Sequence, residues 1–186
     1  MRPARVRASA VDLLAIWAWL AAVAVTSRLP VVRRTGFAGL FRRPATADAA
    51  QFATGVLPVA VYLAVGEAGA AQATPGKRAA GLAVVGPDGT RPGRRRILLR
   101  TAVKLLPWQV AHLAITRAAG AGVARSPKLA GAGFGLALSL AGASVALART
   151  RPDGRALHDL AAGTRVVATD DCDEPDRHPS RGAFPR

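Results

Sequence analysis

The chain has 186 residues, 51% of them hydrophobic, with a formal net charge of +15. A nucleic-acid-binding domain would share the pI near 11.8, but not several apolar runs of about twenty residues, so nucleic acid is excluded as the expected partner. A small membrane protein accounts for both numbers: helices supply the apolar residues, and Lys and Arg collect in the loops of one side.

The single cysteine, Cys172, lies in a polar tail, so no intramolecular disulfide can form. One Cys and three dispersed His do not build a tetrahedral zinc site, and neither a metal nor a cofactor is expected.

In chain order, Arg2, Arg5 and Arg7 precede a first apolar run over residues 8–27. At about 1.5 Å rise per residue this run reaches about 30 Å, the hydrocarbon thickness of a bilayer. A cleaved signal peptide is the rival reading, because a basic start and small residues near Ala24 suit one. Asp12 inside the run, and the apolar spans that follow, favour a retained helix. The link over 28–48 carries two arginine pairs with Phe37, Leu40 and Phe41 between them. It suits either a short amphipathic turn on the membrane surface or an irregular solvated loop.

A second span over about 49–66 contains Pro58, expected to kink it, and ends at Glu67. Thr74-Pro-Gly-Lys77 is not a phosphate-binding loop, since it lacks the glycine spacing and the Ser/Thr after lysine. Leu82 to Val85 reads as a short strand, with a turn over Gly86–Gly89.

A third span over about 97–116 is less apolar, and Pro107 is expected to bend it. Its Arg100, Lys104, Trp108 and His112 recur every fourth residue and so share one helix face. The fourth span, about 129–148, is rich in Gly and Ala. Its Gly131/Gly135 pair suits close packing within the bundle. Arg165 to Val167 reads as a second strand, expected to pair with Leu82 to Val85 in a small cytoplasmic sheet. The expected fold is therefore an all-α membrane domain over 1–168, with four transmembrane helices and that sheet, followed by a disordered tail over 169–186 whose acids form a solvated run.

Four spans put both termini on one side. If that side is the cytoplasm it receives sixteen basic residues against eight opposite, which favours both termini inside. The same orientation puts Arg5, Asp12, Glu67, Lys77, Arg100, Lys104, His158 and Asp159 near one depth, at the inner interface. A charge within a span costs about 2.5–3.5 kcal/mol on insertion scales, so these groups should pair or face water. Asp12, Glu67 and Asp159 are the natural partners of Arg100, Lys104 and Arg5. Such a cluster fits a structural staple of helix ends, and it also fits a cation or proton path.

Three blocks resemble the RDD family of bacterial membrane proteins, named for one arginine and two aspartates. They are Arg5-Val-Arg-Ala8-Ser-Ala-Val-Asp12, Thr74-Pro-Gly76-Lys77-Arg78-Ala-Ala-Gly81-Leu-Ala-Val84-Val85, and Leu157-His158-Asp159-Leu-Ala-Ala-Gly163-Thr164. The family's arginine falls on Arg5, with Arg7 two residues on, and its aspartates on Asp12 and Asp159. The resemblance implies a multi-pass protein of the bacterial cell membrane. It also implies transport as one role, sodium/proton exchange being proposed for some members.

Two functions follow as expectations. One is transport through the inner-interface cluster, for which four spans would call for a homodimer to build an alternating-access path. The other is a non-catalytic scaffold whose basic cytoplasmic face binds anionic lipid headgroups or a protein partner. An enzyme is not expected: His158 and Asp159 are adjacent, so on a helix their side chains diverge, and no nucleophile sits at a recognisable spacing.

Overall fold

The computed structural model describes residues 2–36, 39–40, 44–119 and 126–169. The tail from residue 170, with Cys172 and the acidic run, lies outside the described residues, as do Phe37 and Phe41 of the first link. Helix α1 spans Arg2–Thr26, followed by the short α2, Pro30–Arg34. Helix α3 (Pro44–Gln51) continues through a π-helical turn (Phe52–Val56) into α4, Leu57–Ala68. Then come α5 (Pro75–Ala79) and strand β1 (Leu82–Val85). The long helices α6 (Arg94–Ala119) and α7 (Pro127–Thr150) are followed by α8 (Leu157–Ala162) and β2 (Arg165–Ala168).

Among the described residues three helical stretches are long and apolar enough to cross a membrane: Pro3–Thr26, Thr46–Ala68 and Pro127–Thr150. Their outward residues include Leu14, Trp17 and Leu138, at 70%, 66% and 73% exposed. Apolar surface of that extent along a helix requires a lipid solvent. The third expected span, α6, has the length but not the composition. Its arginines, Lys104 and His112 keep it below the apolarity of the other three.

Successive long helices run in alternating directions. Trp19 of α1 bonds near the start of the α3–α4 stretch and Asp12 near its end. The absent Cβ of Gly133, near the start of α7, would fall 2.9 Å from Ala114 near the end of α6. One end of the bundle is closed by α5, α8 and the sheet, in which β1 pairs antiparallel with β2, from Leu82 opposite Ala168 to Val85 opposite Arg165. This is the strand pair expected from the sequence. It joins the Lys77 block to the His158 block.

Pro58 follows closely on a π-helical turn. It lies in the first turn of α4, and the π-helical turn before it absorbs the change of register. Proline has no N–H for the Thr54 carbonyl four residues back, and the Trp19 indole donates to that carbonyl at 3.0 Å. Gly131 and Gly135 have nothing within 4 Å of where a Cβ would stand, so they do not pack the bundle as expected. Gly133 does.

The interior is layered. Ala8, Leu82, Val84, Ile97 and Val166 form an apolar core against the sheet. Ile16, Val56, Val59, Leu63 and Leu105 form a second core deeper in the bundle. The buried residues of α1 are Ala8, Asp12 and Ile16, one turn apart on one face. Ala8 belongs to the first core and Ile16 to the second. Asp12 therefore lies between them, and a polar layer separates the two cores.

Candidate functional site: the buried polar layer

Arg100 is the centre of this layer, on the α6 face one turn below Ile97, and is 1% exposed. Its Nε donates to Glu67 Oε2 at 2.8 Å, and its Nη1 donates to Asp159 Oδ1 and, at 3.0 Å, to Thr164 Oγ1. Lys77 Nζ donates to the other oxygen of Glu67. Burying a cation is tolerable only when paired charges and hydrogen bonds fill its donor sites, and here α4, α8 and the residue before β2 supply them, while α5 brings Lys77 onto Glu67.

The block around Asp159 explains itself locally. Asp159 accepts from the Ala156 N–H at 3.0 Å, tying down the first turn of α8, while its other oxygen takes Arg100. Gly163 ends the helix with φ +62, a left-handed conformation that glycine adopts without strain. That turn brings the Thr164 hydroxyl back onto Arg100. Arg155 covers the emerging carbonyls, donating to Thr164 O at 2.9 Å and Asp159 O at 3.1 Å.

Burial is the largest single influence and would raise the Asp159 carboxyl, but the Arg100 charge and the hydrogen bonds from Arg100 and the Ala156 N–H together hold the group below the usual carboxylate range. His158 is pushed down to about 3, first by burial and then by the Arg100 charge, so its ring is neutral at pH 7. The His158 and Asp159 side chains do not diverge as expected: His158 Nε2 stands 3.6 Å from Asp159 Oδ2.

Asp12 departs from expectation in a second way. Among the described residues no lysine or arginine bonds it. It accepts from Tyr62 Oη at 2.7 Å, Thr74 Oγ1 at 2.6 Å and the Gly76 N–H at 2.9 Å. Thr74 caps α5, accepting from Lys77 N at 3.4 Å. Gly76 has no Cβ because one would stand 2.7 Å from the Asp12 carboxyl carbon and run into the Ala8 carbonyl. The start of α5 is thus pressed onto α1, and neutral donors occupy the Asp12 oxygens in place of a cation.

Arg5 likewise takes no carboxylate among the described residues. It donates to the carbonyls of Gly154 and, at 3.0 Å, Val166, fastening α1 to the α7–α8 turn and to β2. Arg7 is exposed, so Arg5 is the arginine of this layer. Lys104 also lacks the expected partner: it makes no ion pair or hydrogen bond among the described residues. One turn on, Trp108 Nε1 donates to His112 Nε2 at 2.9 Å, completing the stripe along α6.

Arg5, Asp12, Lys77, Arg100, Lys104, His158 and Asp159 all line one cavity of about 400 Å³, with Glu67 immediately behind Lys77 and Arg100. All eight residues expected to converge do so. Tyr62, Thr74 and Thr164 belong to the layer as well and were not singled out by the sequence. Thr74 and Thr164 lie inside the family-like blocks quoted above, the one signal that pointed to them.

The sequence matches the RDD family over residues 4–163, a stretch that holds every residue of the polar layer. The chain belongs to the RDD family. It is a membrane-type protein with helices apolar enough to span a bilayer, and its three motif blocks are the walls of the layer: the Arg5–Asp12 block on α1, the Thr74–Val85 block on α5 and β1, and the His158–Thr164 block on α8. No curated protein and no solved structure matches this RDD chain.

Proposed function

We propose that this RDD protein is a non-catalytic, multi-pass component of the bacterial cell membrane whose basic face, at the sheet end, binds anionic lipid headgroups. In this reading α6 is the fourth crossing, its charged first turns shielded by the polar layer, and both termini lie in the cytoplasm. The observation that carries it is the division of labour among the cations. Arg100 and Lys77 are consumed by buried carboxylates, whereas Arg7, Arg78, Arg94, Arg95 and Arg165 are exposed around the same end. Each basic residue near an anionic leaflet contributes about 1 kcal/mol, so five hold headgroups at physiological salt. The test is the lipid that co-purifies with the detergent-extracted protein as salt is raised. Enrichment of phosphatidylglycerol over neutral lipid that falls with salt, and falls further in Arg94→Gln/Arg95→Gln, supports the reading; salt-insensitive enrichment, or none, refutes it.

A second reading, proton-coupled transport, draws on one observation. The His112 Nδ1 is buried and has no partner among the described residues, and the ring faces the π-helical turn at Gly55. π-turns and unpaired buried polar groups recur at functional sites, and a second copy of the chain would complete an alternating-access path. Na⁺ or H⁺ flux through protein-loaded liposomes, abolished in Asp12→Asn, supports transport; absence of flux under an imposed gradient eliminates it.

A further inference from the structure

The cavity of the polar layer has an asymmetry that the surface reading does not use. Around it stand four cations, Arg5, Lys77, Arg100 and Lys104, against three carboxylates, Asp12, Glu67 and Asp159. Three of the cations are spent on the protein itself: Arg100 on Glu67 and Asp159, Lys77 on Glu67, and Arg5 on two backbone carbonyls. The carboxylates are engaged too, Asp12 by three neutral donors. Lys104 alone among the four reaches the cavity without a bonding partner among the described residues. An ammonium group at this depth requires a counter-ion or water, and the unbalanced charge is one positive.

The rest of the wall has a different character. Beyond Lys104 the lining turns apolar, with Leu13, Ile16, Leu63, Leu105 and Trp108. Leu13 lines the cavity and is also 48% exposed, so the mouth opens on the flank of α1 that faces lipid. A volume of about 400 Å³ lies within the range of ligand sites, and an apolar wall with a few placed polar groups is their usual composition.

We propose that this cavity is a binding site for a membrane amphiphile with a monoanionic head, its acidic oxygens held by Lys104 and its apolar chain lying along Leu13, Ile16 and Leu105. A bare cation has no place there, because the wall is already net positive. A small anion without a chain forgoes the apolar half of the site. The site is distinct from the outer basic face, so either can fail alone.

The experiment uses the full chain in dodecyl maltoside and follows its thermal unfolding midpoint while laurate is added. Laurate is expected to raise the midpoint saturably, and sodium acetate at the same concentrations is not. Lys104→Gln is expected to weaken laurate by about tenfold or more, the worth of a charge-assisted hydrogen bond, whereas Arg94→Gln/Arg95→Gln stays within about twofold of wild type. Raising salt should affect laurate little, because a buried pair is poorly screened, in contrast to the surface lipid.

Leu13→Trp, which narrows the mouth and leaves every charge in place, gives the same weakening and answers the case in which Lys104→Gln does not fold. Displacement of laurate by phosphatidylglycerol supports the site with a lipid headgroup as its occupant, and lack of displacement supports it with a free fatty acid. The proposal is overturned if acetate matches laurate, if laurate gives no saturable shift, or if laurate affinity is unchanged in the folded variants.

Discussion

Arg100→Met removes the centre of the polar layer, and its cost can be worked from the contacts. Glu67 keeps Lys77 and stays paired. The Asp159 carboxylate loses the one arginine bonded to it among the described residues and keeps the Ala156 N–H at 3.0 Å, a long contact to the Thr164 hydroxyl at 3.5 Å and the neutral His158 ring at 3.6 Å. A carboxylate left uncompensated in a buried position costs about 3–5 kcal/mol. For a chain of this length about 2–4 °C accompanies each kcal/mol, so the midpoint should fall by about 6–20 °C. Adding Asp159→Asn removes the stranded charge, and Asn can still accept from the Ala156 N–H; the double variant should recover about 2 kcal/mol or more relative to additivity. Arg100→Lys should lie between, since one ammonium cannot reach Glu67, Asp159 and Thr164 in the fixed fork of a guanidinium. The assay is thermal unfolding of the detergent-solubilised protein for wild type, Arg100→Met, Asp159→Asn, the double variant and Arg100→Lys. If Arg100→Met shifts the midpoint by less than about 2 °C, or if the two substitutions add without coupling, the layer is not held by Arg100 and the reasoning fails.

Three further outcomes test the remaining contacts. Gly76→Ala should cost about 3 kcal/mol, the upper end of overpacking, because the new methyl meets the backbone of α1 and the Asp12 carboxyl group and neither can retreat; wild-type stability would refute the close approach. Gly133→Val should loosen the α6–α7 contact by about 1–3 kcal/mol while Gly131→Ala stays within about 0.5, and equal effects at the two sites would refute the assignment of the packing face. His158 sets a pH dependence. Its folded-state value is about 3 against 6.5 when unperturbed, so the unfolded chain binds the extra proton between these values. Stability from this group is complete above pH 6.5 and is lost as pH falls through that window, by about 2 kcal/mol at pH 5. The unfolding midpoint measured from pH 7.5 to 5 should fall in wild type and flatten in His158→Gln; parallel slopes would refute it.

Much of the architecture was legible because it follows from spacing along one chain. Run length revealed the membrane helices, and the four-residue stripe from Arg100 to His112 revealed a polar face on α6. Glycine followed by β-branched residues at Leu82–Val85 and Arg165–Val167 revealed the strand pair. The shared level of the ionisable groups along the bundle followed from counting residues in from each helix end. What counting cannot supply is the choice of partner across helices, which depends on ångström-scale offsets.

Charge complementarity suggested an arginine or lysine for Asp12, yet the tight seating of α5 at Gly76 delivers a hydroxyl pair and a backbone N–H first. Arg5 reaches carbonyls rather than carboxylates because α1 runs past the α7–α8 turn. Lys104 shares a helix face with Arg100, one turn below, but faces a cavity lined by α1 where no carboxylate remains to be paired. The sequence by itself determined which residues meet, at what level along the helices and in what kind of solvent, since hydropathy and helix pitch are properties of the chain. Only the tertiary structure decided which of them bond and which one is left unbonded, since hydrogen bonds and ion pairs form over a fraction of the width of a helix.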